Sequence, residues 1–264
     1  MVTTPPDSAL SSGWRWAAAG TLIGVAFALS VFAPARWLAA GLAQWSNGHL
    51  QLVNARGTVW NGTAGVVFSS GASGTEAISL PGMLAWTLRP RWDGIAAALD
   101  LPCCAAKPLE LRGRPRTDGV ELDWSNGQSR WPAALLTGFG APWNTLKLDG
   151  VLDLSMQDFV LRWSGPKLML AGRATLDATD ISSSLSTLKP MGSYRLALEG
   201  GPAPTLLLTT REGSLQLSGS GRWSGTSLRF DGEASAAPGR EDVLSNLLNI
   251  IGRRDGARSL ITLG

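Results

Sequence analysis

His49 is the single histidine of the 264-residue chain, and Cys103 and Cys104 are its two cysteines. A closed structural zinc site takes four nitrogen or sulfur ligands, which this inventory does not supply. No serine, aspartate or cysteine stands at a spacing that would make His49 a general base, so it reads as a surface or interface residue. Cys103 and Cys104 are neighbours and not a C-x-x-C pair, which leaves thioredoxin-like chemistry without support. Bridged cysteines prefer Cα atoms about 5.5–6 Å apart, whereas consecutive ones sit about 3.8 Å apart. The pair reads as a loop feature following Pro102, open to bridging internally or to another chain in an oxidising compartment. No G-x-x-x-x-G-K-[ST], H-E-x-x-H or G-x-S-x-G occurs, so the phosphate-loop, zincin and nucleophile-elbow chemistries lack their motifs. Arg253-Arg254 is the remaining charged pair of note. It reads as a helix-end cluster, or as a contact for an acidic partner or a lipid headgroup.

Composition agrees with a chain that works without covalent chemistry. A net charge of +3, dispersed along the chain, is too weak for nucleic-acid binding, which clusters Lys and Arg into a stripe. Hydrophobic residues at 44% against 16% charged exclude a disordered tail protein.

The compartment is set near the N-terminus. Residues Trp16 to Ala33 (WAAAGTLIGVAFALSVFA) form an uncharged run of 18 residues, about 27 Å long as a helix and close to a bilayer core. Trp14, Arg15 and Trp16 stand at one end, Arg36 and Trp37 just past the other, where indoles and cations favour the membrane interface. Pro34 fits a helix that stops there. The expected arrangement is a short cytoplasmic tail over residues 1–15, a single transmembrane helix over 16–33 and a periplasmic β-rich domain over 34–264. A secretory signal cut at Ala33-Pro34-Ala35 is the alternative, but the apolar run exceeds the usual 7–15-residue signal core.

Beyond the run the pattern alternates. In Thr145 to Met156, Leu146, Leu148, Leu152, Leu154 and Met156 share one parity, while Lys147, Asp149, Asp153 and Ser155 share the other. Period 2 means one buried and one wet face. Ser193–Glu199, Ser214–Ser218 and Ser227–Asp231 repeat the pattern. Asp149-Gly150, Glu199-Gly200-Gly201, Glu212-Gly213 and Asp231-Gly232 punctuate the runs where turns or bulges favour glycine. Trp60-Asn61-Gly62, Trp163-Ser164-Gly165 and Trp223-Ser224-Gly225 each close a strand-like run, a strand, plug and turn used repeatedly. The spacing is uneven, so this is not a solenoid repeat. Short strands joined by tight turns predict an antiparallel meander.

Two helices are expected. Ser129 to Phe139 has Ser129 as N-cap, Pro132 early and Gly138 and Gly140 near its end. In the second, Leu244, Leu247, Leu248 and Ile251 fall at i, i+3, i+4 and i+7. Glu241 and Asp242 open it, Gly252 would close it in the left-handed conformation, and Arg253 and Arg254 complete its dipole. A terminal strand follows over Ser259 to Leu263. Leu244, Leu247, Leu248, Ile251, Arg253 and Arg254 are the candidate partner-contact residues.

These motifs converge on a family. Arg56-Gly57-Thr58-Val59-Trp60-Asn61-Gly62 after a membrane run, Leu84-Ala85-Trp86-Thr87-Leu88-Arg89-Pro90, and Gly140-Ala141-Pro142-Trp143-Asn144-Thr145-Leu146 with Gly150 resemble stretches of the type II secretion system protein N family. So does Leu248-Asn249-Ile250-Ile251-Gly252-Arg253-Arg254-Asp255-Gly256-Ala257-Arg258-Ser259. The resemblance implies a mainly β protein, a single-pass inner-membrane component of diderm bacteria with its bulk in the periplasm. It implies a non-enzymatic, cofactor-free accessory of the machine that exports folded proteins. Its partners would be other components of the inner-membrane platform, the outer-membrane secretin and membrane lipid. The alternative function is binding of a lipid or other hydrophobic ligand in a curved, half-open β-groove, similar to the periplasmic AsmA-like proteins.

Overall fold

The structure, a computed structural model, describes residues 10–69, 71, 77–165, 167–224 and 227–264; the expected tail over residues 1–15 lies mostly outside them. Helix α1 (Leu10–Val31) covers the apolar run and α2 (Ala35–Trp45) follows Pro34. The first strands are β1 (Leu50–Gly57), β2 (Asn61–Ser69), β3 (Ala77–Ser79), β4 (Leu84–Arg91), β5 (Gly94–Asp100), β6 (Leu109–Arg116), β7 (Gly119–Trp124) and β8 (Gly127–Pro132). A 3₁₀ segment η1 (Ala133–Phe139) and the short α3 (Trp143–Leu146) come next, then two long strands, β9 (Leu148–Ser164) and β10 (Lys167–Ser183). The chain continues through β11 (Gly192–Gly201), β12 (Thr205–Gly213), β13 (Leu215–Ser224) and β14 (Ser227–Ala236). It ends with α4 (Glu241–Ile251), β15 (Arg253–Asp255) and β16 (Arg258–Leu263).

All the strands join one antiparallel sheet, in the order β1-β2-β4-β5-β6-β7-β9-β10-β11-β12-β13-β14-β16-β15, with β3 added to β2 and β8 to β9. Hairpin connections account for this order, as the turn-punctuated alternation predicts. The sheet is curved, and η1 shows why. Strands β2 and β9 lie five strand spacings apart in the sheet order, about 24 Å if it were flat. Segment η1 is about 14 Å long, yet it touches both. Gly138 sits against Phe68 of β2, and the Phe139 and Phe68 rings lie 5.9 Å apart. The sheet therefore bends around η1.

Register sorts the side chains cleanly. Leu152, Leu154 and Met156 of β9 pair with Ala178, Leu176 and Ala174 of β10, which pair onward with Tyr194, Leu196 and Leu198 of β11. Paired residues share a face, so this row is apolar and inward. The opposite face carries cross-strand ion pairs: Arg130–Asp153 at 2.7 Å, Arg173–Glu199 at 3.2 Å, Arg195–Asp177 at 2.7 Å and Arg258–Glu233 at 3.1 Å. A one-residue slip would exchange the faces, so the pattern locks the register.

Helices cover the inward face at one end. There Leu244, Leu247 and Leu248 of α4 pack with Leu152, Tyr194, Leu215 and Ala234. Beside this cluster Leu135 of η1 packs with Val66, Leu80, Leu101 and Cys104. Trp131 touches both clusters and joins the two arms of the bend. A third cluster sets Ala35 and Leu38 of α2 on Ala64 and Trp86.

The structure corrects several local expectations. The helix expected over Ser129–Phe139 begins only at Ala133, and as 3₁₀. Ser129, Arg130 and Trp131 are strand residues, with Arg130 outward on Asp153 and Ser129 inward, its Oγ accepting the Trp131 indole N–H at 2.8 Å. Pro132 keeps its predecessor extended. Thr145 and Leu146 belong to α3 and not to the strand that follows. Gly232 lies within a strand at neither a turn nor a bulge, whereas Gly150 stands at a bulge, one of the two places expected of it. Gly150, at φ +129°, adjoins the register shift of β9 against β10, a bulge. Gly232 leaves room for the Phe230 ring, 2.8 Å from where its Cβ would stand. Gly252 is extended, not left-handed, and leads straight into β15, so Arg253 and Arg254 are strand residues.

Candidate functional site

The residues singled out for chemistry lie apart. The His49 ring Nδ1 stands 3.0 Å from the Ser69 carbonyl, a contact that ties β1 to the end of β2. Cys103 and Cys104 are joined by a disulfide; Cys104 is buried beside Leu135 and Cys103 is exposed. Among the described residues no group of three or more His, Cys, Asp or Glu is placed to hold a metal ion.

The candidate contact residues at the C-terminus divide. Leu244, Leu247 and Leu248 are at most 1% exposed, because the stripe that makes α4 amphipathic seats it on the protein's own sheet. Ile251 packs against the same cluster. Arg253 and Arg254 remain exposed on β15, and Val243 and Ile250 face outward on α4. Sequence periodicity identified the stripe but not which surface it would meet.

At the N-terminus Trp14, Arg15 and Trp16 are exposed on α1, and Arg36 and Trp37 on α2. Leu22, Ile23 and Phe27 of α1 are each at least 70% exposed. Among the described residues no helix is long and apolar enough to cross a membrane.

The inward face as a whole is the remaining feature, which the sequence raised only through the half-open β-groove of the alternative reading. Past the helix-covered end, Leu154, Met156, Leu196, Leu198 and Leu206 are half-buried and lie outside the packed clusters. The row continues across the other arm through Leu88, Ala97, Leu111 and Trp124, which pair in succession. Trp124 stacks edge-on against Phe159 at 5.8 Å. Polar atoms on this face are matched: Thr210 donates to the Leu217 carbonyl at 2.8 Å, and the Tyr194 hydroxyl to the Leu215 carbonyl at 3.1 Å. Burial pushes the Tyr194 phenol above its ordinary range, so it stays a neutral donor. The alternation within each strand signalled half of this. The continuity comes only from register.

The outward face is electrostatic. Arg116 donates to Glu121 at 2.6 Å and Arg114 lies 3.3 Å from the same oxygen; the hydrogen bond from Arg116 is the main reason the Glu121 carboxyl is held below the usual range. Asp177, chelated by Arg195 and approached by Arg211, is lowered for the same kind of reason. Asp118 is lowered chiefly by the hydroxyl of Ser164, at 2.5 Å. These groups cross-link neighbouring strands; Glu121 is itself buried and, with Asp123 and Arg162, lines an open cavity of about 330 Å³ on this face.

Sheet, faces and scattered polar groups together define a one-sheet β protein with an apolar inward face and a charged outward one. The model of the type II secretion system protein N family matches residues 48–261, which takes in the sheet up to the last two residues of β16 and most of the chain. The chain belongs to that family. No curated protein and no solved structure matches it.

Proposed function

We propose that the chain is a non-enzymatic, inner-membrane accessory component of the type II secretion system, acting through periplasmic protein contacts. The observation that carries this is the family match over residues 48–261, which makes the protein a type II secretion component. The run over residues 16–33, which α1 carries as far as Val31, is the membrane anchor in this reading. Its support is the uncharged run itself, the exposed apolar side chains of α1, and the tryptophans that flank the run, Trp14 and Trp16 on α1 and Trp37 on α2. The sheet then stands in the periplasm, where a disulfide at Cys103–Cys104 persists.

Partners of the inner-membrane platform meet the C-terminal corner through Arg253 and Arg254, flanked by Val243 and Ile250. Removing Leu244 to Gly264 is a poor test, since it strips three fully enclosed leucines from the core. Reversing charge at both arginines is a clean one. Arg253→Glu with Arg254→Glu is expected to keep the thermal midpoint of the full chain and to lose co-purification with the platform components. Retained co-purification removes the assignment.

A second reading has its own support. The half-buried leucines of the inward face, with their polar neighbours already paired, suit an apolar ligand such as a lipid chain. Phospholipid retained through detergent extraction and detected by native mass spectrometry is the expected result; a protein that carries none counts against it.

A further inference from the structure

We infer that the inward face takes the acyl chain of an anionic membrane lipid through one defined mouth, at the end of the sheet from which α1 departs. The inference rests on the apolar-ligand reading above and assigns the ligand class, its entrance and its orientation.

The sheet has unlike ends. Where Leu152, Tyr194, Leu217 and Ala234 lie, α4 stoppers the inward face. At the opposite end the strand termini are bare. Ile95, Val120, Trp163 and Leu263 point inward there by register and are 43–58% exposed, and Trp92, in the turn after β4, is 96% exposed. The chain enters at this same end. Pro34 bridges Thr58 in the turn after β1, and the Val59 N–H donates to the Ala33 carbonyl at 2.8 Å. The Leu88 N–H binds the Trp60 carbonyl of that turn at 2.6 Å. The residues just after α1 are thus fastened beside the mouth, and a lipid leaving the bilayer around α1 meets it first.

Two observations choose the occupant. Every strand bordering the mid-face has a hydrogen-bonded neighbour on each side. An extended peptide laid on that face would find no backbone partner for its own N–H and C=O groups, whereas an acyl chain brings none to satisfy. Charge at the mouth selects the head. The carboxylates Asp93, Asp118 and Glu199 each have an arginine within 3.5 Å. Arg91 and Lys167, which end β4 and begin β10 on the outward side of this rim, have no acidic partner among the described residues, nor do Arg222 and Arg229, also outward and two residues in. Asp231 lies further inside the sheet. The unpaired charge at this end is positive, which suits a phosphate-bearing headgroup.

The test uses the full chain, carrying a photo-crosslinking side chain at Val120, Leu196 or Leu217, in vesicles of phosphatidylethanolamine with phosphatidylglycerol. Lipid adducts are expected at Val120, at the mouth, and at Leu196, midway, and not at Leu217, beneath α4. Replacing phosphatidylglycerol by phosphatidylcholine lowers the Leu196 adduct, and Arg91→Glu with Lys167→Glu lowers it roughly tenfold at an unchanged thermal midpoint. Adducts at Leu217 without Val120, or yields indifferent to lipid charge, overturn the mouth and headgroup assignment while the apolar-ligand reading stands. Protein adducts in place of lipid, or no adduct at any position, overturn that reading itself.

Discussion

Leu247→Ala separates two uses of the α4 stripe, contact with a partner and closure of the protein's own core. Leu247 is 1% exposed and sits among Leu215, Ala234, Leu244 and Leu248. Truncating an enclosed leucine removes its transfer energy and leaves a cavity, about 2–5 kcal/mol in all. A site walled by both a sheet and a helix collapses poorly, which places the expected loss at about 3–4 kcal/mol. At about 2–4 °C per kcal/mol for a domain of this size, the midpoint falls by roughly 6–16 °C. Ile250 on the outward side of the same helix is 39% exposed, so Ile250→Ala is expected to cost less than about 1 kcal/mol. Thermal denaturation of the detergent-solubilised full chain, followed by far-ultraviolet circular dichroism, reads both. Equal losses for the two variants, or a Leu247→Ala midpoint indistinguishable from the parent, would refute the assignment of the stripe to the core.

Two more perturbations probe the sheet itself. The Glu121 carboxyl is held below its ordinary range by Arg116 and Arg114, so its stabilising contribution is fully present above the ordinary carboxylate pKa and fades as pH falls through the lowered one. Glu121→Gln is therefore expected to be less stable than the parent at neutral pH, with the gap narrowing below about pH 4; a gap that widens in acid contradicts the pairing. Gly138→Ala would place a Cβ 2.6 Å from the Phe68 Cβ and 2.9 Å from its carbonyl carbon. It should lift η1 from β2 and cost about 1–3 kcal/mol, read as a lower urea midpoint; a neutral outcome would mean that η1 does not wedge the bend.

Strand alternation was legible in the sequence because side chains on one face repeat every second residue whatever the tertiary context. Leu196 and Leu198 announced their face alone. The Trp-Asn/Ser-Gly stretches were legible too: Trp163 and Trp223 stand near the ends of β9 and β13, and Trp60 in the turn after β1. Elsewhere local signals misled where a long-range partner overruled them. Ser129 looked like an N-cap, but the segment pairs along β9, with Ser129 opposite Leu154 and Trp131 opposite Leu152. Asp231-Gly232 looked like a turn, yet the glycine serves the Phe230 ring. Arg253-Arg254 looked like the end of a helix until Gly252 ran extended against Leu260. The site was legible only in halves, since no single strand reveals that its leucines continue across the next.

The edges of the sheet bear on how the protein meets its neighbours. An open sheet offers unpaired N–H and C=O groups at both margins, and a partner strand could add there. One margin, β1, is packed against α2. The other ends in β15, which has three residues, all exposed, two of them arginine. Short, charged edge strands are the ones that resist strand addition. Strand exchange is thereby disfavoured at either margin, and in the proposed readings recognition falls to side chains: Arg253 and Arg254 at the C-terminal corner for proteins, the inward face for lipid. The two surfaces lie at different places on the sheet, so the paired charge reversals Arg253→Glu/Arg254→Glu and Arg91→Glu/Lys167→Glu should each abolish one kind of binding and spare the other. A variant pair that loses both together would show that lipid and protein compete for one surface.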